Sequence, residues 1–344
     1  MEKCLESSHS STQSKEGYMR LLLAPEPRGD GGPSLAVRRL LPYLETSGFT
    51  LVSKFSSSWD TALVNVLGGY RGIGVIASGK PFLYRAAGYY VREIFDRTGR
   101  KWLRQYELAN FLTRLFLSRA KMVVYQSLYA KNRLSKFTKE VNRRSVIIHN
   151  GVRLDSFKPK YHNTNSVPVI GTVGKFRHER ASVILRTSRM LHLPHKLLIG
   201  GPMSNEDQQM FQEYAHRRGI DVHFTGYVSA QNLPEIYNQI DVFIHPVAAD
   251  VCPNVVVEAL ASGVPVVCHA FGGAVELVGA GGVSVDGNPF EADDVFISKM
   301  SEAIIEVLSE LDLYRKLARS QAELALDINV TAAKYIEAFS KVVT

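Results

Sequence analysis

Cysteine is scarce in this 344-residue chain: Cys4, Cys252 and Cys268 are the only three, and no two form a CxxC pair. That count excludes a disulfide framework and a cysteine-based zinc site. Nor is there an apolar run of the roughly 18 residues needed to span a bilayer, so the chain is not expected to be an integral membrane protein. Met1 to Gly17 (MEKCLESSHSSTQSKEG) lacks the apolar centre of a signal peptide and is expected to be a polar, disordered lead-in to a cytoplasmic protein. No Asp-x-Asp occurs, and His192 with His195, or Cys268 with His269, lack the further ligands a metal needs. No metal and no cofactor is expected. Before residue 160 the only histidines are His9 and His149, so the first half offers no recognisable catalytic histidine.

What the chain does have is an uneven distribution of charge. Residues 1–160 hold 27 Lys/Arg against 12 Asp/Glu, and the remainder holds 14 against 21. The first half is therefore +15 and the second −7, which together give the net +8. A half so basic should face an anionic surface such as a membrane, an acidic glycan or a nucleic acid. No nucleic-acid-binding module is recognisable, which disfavours the last.

The length suits two domains. Tyr18 to Ala24, a Gly-rich turn through Gly29-Asp30-Gly31-Gly32-Pro33-Ser34 and then SLAVRRLLPYLETSG read as strand, turn and helix, the opening of a doubly wound α/β unit. Further strands are expected at Phe49 to Ser53, Ile73 to Ala77, Met122 to Tyr125 and Val146 to Ile148, with one long helix from Arg97 to Arg119. The second half alternates strands at Val169 to Val173, Lys196 to Gly200, Val222 to Thr225, Asp241 to His245, Pro265 to His269 and Gly282 to Val285 with helices such as Asp207 to Arg218 and Leu233 to Gln239. The expected organisation is a lead-in to residue 17, a Rossmann-like domain over 18–160, a second over 161–330, and a helix over 331–344 that packs back on the first. Two parallel sheets covered by helices follow from this alternation.

In open α/β sheets ligands sit beyond the carboxyl ends of the strands. After Val169 to Val173 comes GKFRHER, which places Lys175 and Arg180 just outside a strand end. After Asp241 to His245 comes PVAADVCPNVVVEAL, in which Pro253, Asn254 and Val255 start a helix whose amides form an anion site. Asp250 lies in the loop before that helix and Glu258 on its first turns. Two carboxylates for two polyols, with a cationic seat between them for phosphates, fit a nucleotide sugar.

VIIHNGVRLDSFKP, GTVGKFRHER, FTGYVSAQNLPEIYNQIDVFIHP and DVCPNVVVEALASGVPVV, in this order and spacing, resemble glycosyltransferase family 4, of GT-B fold. The resemblance covers most of residues 146–290 and weakly the turn at Gly29 to Ser34. It implies a retaining glycosyltransferase that moves a sugar from a nucleotide diphosphate sugar to a hydroxyl of a glycan or a lipid-linked glycan. Lys175 and Arg180 fall on the family's two basic positions for the donor diphosphate. Glu258 falls on the second carboxylate of its E-x7-E motif, which holds the ribose, and Asp250 on the first, which contacts the donor sugar. Tyr227 and Val228 fall in the loop that meets the base, and Gly31 and Gly32 in the loop near the transferred sugar. Two departures stand out: the first carboxylate is Asp rather than Glu, and Arg153 replaces the usual Asp after Asn-Gly-Val.

The acceptor is expected on the first half, where LYRAAGYYVRE offers Arg85 and Tyr89 among aromatic rings and cations. The basic helical stretch that follows, with Trp102, Phe111 and Phe116, could rest on an anionic bilayer. Peripheral attachment to the inner membrane face follows from that reading. A nucleotide-sugar epimerase of the same architecture and a non-catalytic glycan-binding protein are the alternative functions.

Overall fold

The structure is a computed structural model that describes residues 19–29, 32–65, 69–97, 101–137, 144–160, 167–174, 178–288 and 291–343. Gly31, Lys175, the lead-in and residues 161–166 of the expected linker lie outside the described residues. The first half builds a sheet from β1 (Met19–Ala24), β2 (Phe49–Val52), β3 (Thr61–Asn65), β4 (Phe82–Ala86), β5 (Met122–Tyr125) and β6 (Ser145–Ile147). Its order is β2-β1-β3-β4-β5-β6, and every described pairing is parallel. The second half builds β7 (Val169–Val173), β8 (Lys196–Gly200), β9 (Asp221–Gly226), β10 (Val242–His245), β11 (Val266–His269) and β12 (Gly282–Val285). These order as β12-β11-β10-β7-β8-β9, again all parallel. Read from the far edge, this is the 3-2-1-4-5-6 order of the dinucleotide-binding fold.

Helices cover both faces of each sheet. In the first half, α1 (Gly32–Thr46) puts Val37, Leu40 and Leu44 on one face. On the other lie Val75 of α2 (Gly69–Ala77) and Leu112, Phe116 and Leu117 of α4 (Arg104–Arg119). In the second half, α6 (His178–Met190) and α11 (Asp294–Ser309) share one core. The other is built on α8 (Leu233–Tyr237), α9 (Asn254–Ala261), α10 (Ala274–Val278) and α12 (Leu311–Ala325). The last helix, α13 (Ile328–Val343), returns to the first half, where Tyr335, Phe339 and Val342 join the core beneath α1.

Two expectations of secondary structure are corrected. Ile73 to Ala77 belongs to α2, not to a strand; a short apolar run cannot be told from a buried helix by periodicity alone. The strand it stood in for is β3, TALVN, buried at all five positions and so without an alternating signature. The long helix from Arg97 is two: α3 (Arg92–Arg97) ends and α4 starts at Arg104, after Leu103 in an extended conformation. The extended backbone at Leu103 lets Trp102 and Tyr106 pack on Phe95 with ring centroids 5.1 and 4.7 Å away.

Candidate functional site

The second sheet reverses direction between β7 and β10, the topological switch point at which such sheets bind ligands. Three glycines open the backbone there. Gly174, Gly201 and Gly226 follow or end β7, β8 and β9, linked by Gly174 N–H to Gly200 O and Gly201 N–H to Gly226 O, both 2.8 Å. Gly201 has φ of +132°, and a Cβ on it would fall 1.9 Å from Gly174 O, so no other residue fits without displacing the strand end. Arg180, on the first turn of α6, reaches back to this edge. Its Nη2 donates to Thr172 Oγ1 at 2.8 Å and to Val173 O at 3.1 Å. Burial pushes this guanidinium down to about 10, against the Asp250 charge that raises it, so it stays cationic at neutral pH.

After β10 the chain turns through Ala249, whose φ of +63° is unusual for a residue with a side chain. This turn delivers Asp250. Partial burial raises its carboxyl from the ordinary value, while the N–H groups of Cys252 and Val251 and the Arg180 charge pull the other way. His245, the last residue of β10, places Nε2 3.7 Å from Oδ2 of Asp250.

Helix α9 starts at Asn254 with Pro253 before it, and its amino end points between the two halves. Asn254 Nδ2 donates to Gly32 O, the first residue of α1, at 2.9 Å. The amino ends of one helix from each half therefore meet, and each carries free N–H groups and the positive end of a dipole. Beneath them runs a polar chain. Asn150 Nδ2 donates to Asn254 Oδ1 at 2.8 Å and to Cys252 O at 2.9 Å, while Asn150 Oδ1 accepts from Arg85 Nη2 at 2.7 Å.

Arg85 corrects an expectation. It ends in the core of the first half at 2% exposure, where its guanidinium also donates to Asn65 Oδ1 at 3.0 Å and Gln126 Oε1 at 2.6 Å. Lying on β4 between two paired strands, it is sealed from any acceptor, and among the described residues no carboxylate pairs with it. Tyr89 remains half-buried at the rim, its hydroxyl accepting from Arg114, which also lies 5.4 Å over its ring. The neighbouring Gly88 faces Val251 of the second half across the cleft, an added Cβ standing 3.8 Å from that side chain.

Glu258 is brought to the same junction but is covered. Its Oε1 accepts from Arg39 Nη2 of α1 at 2.6 Å, and its Oε2 from the Tyr237 hydroxyl at 2.8 Å. Burial and the Glu258 charge keep the Tyr237 hydroxyl protonated, well above the usual phenol range. Tyr227 and Val228 follow β9 at the sheet edge, with Tyr227 65% exposed. The structure thus brings together Gly32, Arg180, Asp250, Pro253, Asn254, Val255 and Glu258, with Tyr227 and Val228 at the rim. Sequence reasoning missed Arg39, Tyr237 and His245, and took Asn150 only as a turn residue. An Asn-Gly beside a strand end was the one legible sign among them.

Comparison with known proteins agrees with this architecture. Residues 167–310 match the family model described as Glycosyl transferases group 1. Mannosylfructose-phosphate synthase of Agrobacterium fabrum is 29% identical over 135 residues, which are 38% of this chain and 29% of that protein. The chain spans about three tenths of the length of the curated relatives it matches. Among solved structures, sucrose-phosphate synthase from Thermosynechococcus elongatus superposes with a TM-score of 0.77 at 15% identity, over 94% of this chain and 98% of that one. Anabaena HepE in complex with UDP and glucose gives 0.71 at 17% identity, over 94% and 99%. At such identities the likeness is one of fold, and the fold is GT-B. Over residues 167–310 the chain is similar to glycosyltransferases of group 1.

Proposed function

We propose that the protein is a retaining glycosyltransferase that moves a sugar from a nucleotide diphosphate sugar to a hydroxyl of a glycan or lipid-linked glycan. The observation that carries this reading is the meeting of the α1 and α9 amino ends at the Gly32–Asn254 contact, where the carboxyl ends of both sheets converge. Two positive helix ends and Arg180 suit a diphosphate. By the resemblance Lys175 adds a second cation there, Asp250 meets the donor sugar and Glu258 the ribose, with Tyr227 and Val228 at the base. The UDP held by Anabaena HepE supports a nucleotide in this fold.

The mechanism is electrostatic. The bond from the anomeric carbon to the diphosphate oxygen breaks while the cations and amides take up the charge on the leaving group. The acceptor hydroxyl attacks from the same face, its proton passing to the departing phosphate. Cys252 is no nucleophile, since burial pushes its thiol up to about 12. No metal is needed in this scheme, because fixed cations seat the diphosphate.

The acceptor lies on the first half in this reading, beside Tyr89, and the basic surface there rests on an anionic inner membrane face. Among the described residues no helix is long and apolar enough to cross a membrane, so attachment would be peripheral. A panel of nucleotide sugars tested for thermal stabilisation checks the donor: a specific one raises the midpoint by mass action. No stabilisation by any member overturns the reading.

A further inference from the structure

His245 closes β10 at the switch point of the second sheet and is 1% exposed. A residue so deep at a strand end is most cheaply apolar, yet this one carries two ring nitrogens, and neither Nδ1 nor Nε2 has a hydrogen-bond partner. Buried polar atoms left unsatisfied are costly and rare, and each calls for a use outside the packing. The geometry indicates one. Nε2 stands 3.7 Å from Oδ2 of Asp250, too long for a hydrogen bond and roughly 0.5–1 Å from becoming one.

The loop is built for such an adjustment. Asp250 follows Ala249 with its positive φ of 63°, a strained conformation of the kind stored near functional sites. The strand-to-loop segment is pinned on its far side, where Ala249 N–H donates to Phe271 O at 2.6 Å and Gly273 N–H to Asp250 O at 2.7 Å. The Asp250 side chain meets the N–H groups of Val251 and Cys252 and the Arg180 charge. His245 is a further polar neighbour, as is the Tyr129 hydroxyl. Burial, then the charge of Arg180 and the proximity of His269, hold its ring neutral, far below the usual histidine range. A neutral imidazole has one N–H to give and does not cancel the carboxylate's charge.

We propose that His245 is a positioning residue for the donor sugar: with a nucleotide sugar bound, its Nε2–H bonds Oδ2 of Asp250 and fixes the orientation in which that carboxylate meets the sugar hydroxyls, while the nucleotide is held without it. This rests on the assignment of Asp250 to the sugar.

The test uses the full chain and the donor found by the nucleotide-sugar panel, with titration of that donor and of its bare nucleoside diphosphate alongside steady-state rates. His245→Leu is expected to lower kcat/KM for the nucleotide sugar about tenfold, the size of one hydrogen bond to a charged group. Affinity for the bare nucleoside diphosphate should stay within about twofold. His245→Gln, which can offer an N–H, should recover part of the loss and serves where the leucine variant folds poorly. In an Asp250→Asn background the His245 substitution should cost almost nothing, since its effect runs through that carboxylate. Parallel loss of nucleoside diphosphate binding, wild-type rates in His245→Leu, or full additivity with Asp250→Asn each overturn the proposal. A wild-type chain that binds the nucleoside diphosphate but gains nothing from the attached sugar overturns the Asp250 assignment and this inference together. One that binds neither overturns the function itself.

Discussion

Arg39 of α1 and Glu258 of α9, 219 residues apart, form an ion pair at 2.6 Å that joins the two halves through side chains only 16% and 2% exposed. Arg39 also lies 5.9 Å over the ring of Phe157. Removing the cation strands a buried carboxylate with Tyr237 as its remaining partner. Arg39→Met should therefore destabilise the chain by about 3–5 kcal/mol, as is usual when one member of a buried pair is lost. Adding Glu258→Gln should return much of it. Urea unfolding of the single and double variants checks this, and simple addition of their effects would count against the pairing.

Glu258 and Asp250 should separate kinetically. In the proposed site the ribose would displace Arg39 from the covered Glu258 carboxylate, and ribose hydroxyls do not change charge in the reaction, so Glu258→Gln is expected to weaken nucleoside diphosphate binding about tenfold and leave kcat nearly unchanged. Asp250→Asn should lower kcat as well, because the sugar acquires charge in the transition state. Calorimetric titration with steady-state kinetics distinguishes them. An unchanged affinity in Glu258→Gln would remove it from the ribose site.

Arg180 lies at the end of β7, bonded to Thr172 and Val173, where the proposed function seats the diphosphate. Arg180→Ala is expected to lower kcat by roughly two orders of magnitude or more with the fold retained, the scale of losing one donor to a developing oxyanion. Arg180→Lys should fall between, since an ammonium keeps the charge but cannot span Thr172, Val173 and a phosphate as a fork does. Rates near wild type in Arg180→Ala would sink the diphosphate assignment.

The pH dependence of stability should show two windows. His245 is held well below its ordinary 6.5, so the stability it carries is complete above that value and declines as pH falls below it, because only the unfolded chain takes the proton readily. Glu276 of α10 is the second group. It accepts from the Leu128 and Tyr129 N–H groups of the first half, each at 2.7 Å, beside His149. Although burial alone would raise it, those bonds lower it below 4.5, so its contribution is present above 4.5 and lost as pH falls through the lowered value. Denaturation midpoints measured from pH 7.5 to 3.5 should lose part of the upper slope in His245→Gln, the rest belonging to His269, which burial also holds below 6.5, and the lower one in Glu276→Gln.

Much of the second half was legible because its strands run as unbroken apolar segments between glycines and turns; Lys196–Gly200 and Gly282–Val285 match β8 and β12 residue for residue. The first half was less so. β3 is buried on both faces and β4 carries Tyr84 and Arg85, whose polar atoms imitate a binding surface until the fold encloses them. The places of motif residues could be read locally, Arg180 after β7 and Asp250 after β10. Arg39 could not: on a helix, Arg38-Arg39 reads as a solvated face, and its partner is distant in the chain.

The surface of α4 offers the last test. Leu108 and Phe111 are 60% and 61% exposed, one helical turn apart, with the exposed Arg104 and Arg114 beside them. Nearby, Trp102 packs among Phe95 and Tyr106 and donates to Glu107 at 3.1 Å. An apolar pair with an arginine one turn to either side suits an anionic bilayer, each basic group adding about 1 kcal/mol near the surface. Attraction of this kind fades within a Debye length of roughly 8 Å at physiological salt. Sedimentation with vesicles is expected to show binding to anionic but not neutral lipid, weakened by high salt and reduced at least tenfold in Leu108→Glu/Phe111→Glu. Both residues face solvent, so the variant should fold as wild type does. Binding indifferent to lipid charge, or none at all, would assign the basic half to a soluble anionic glycan.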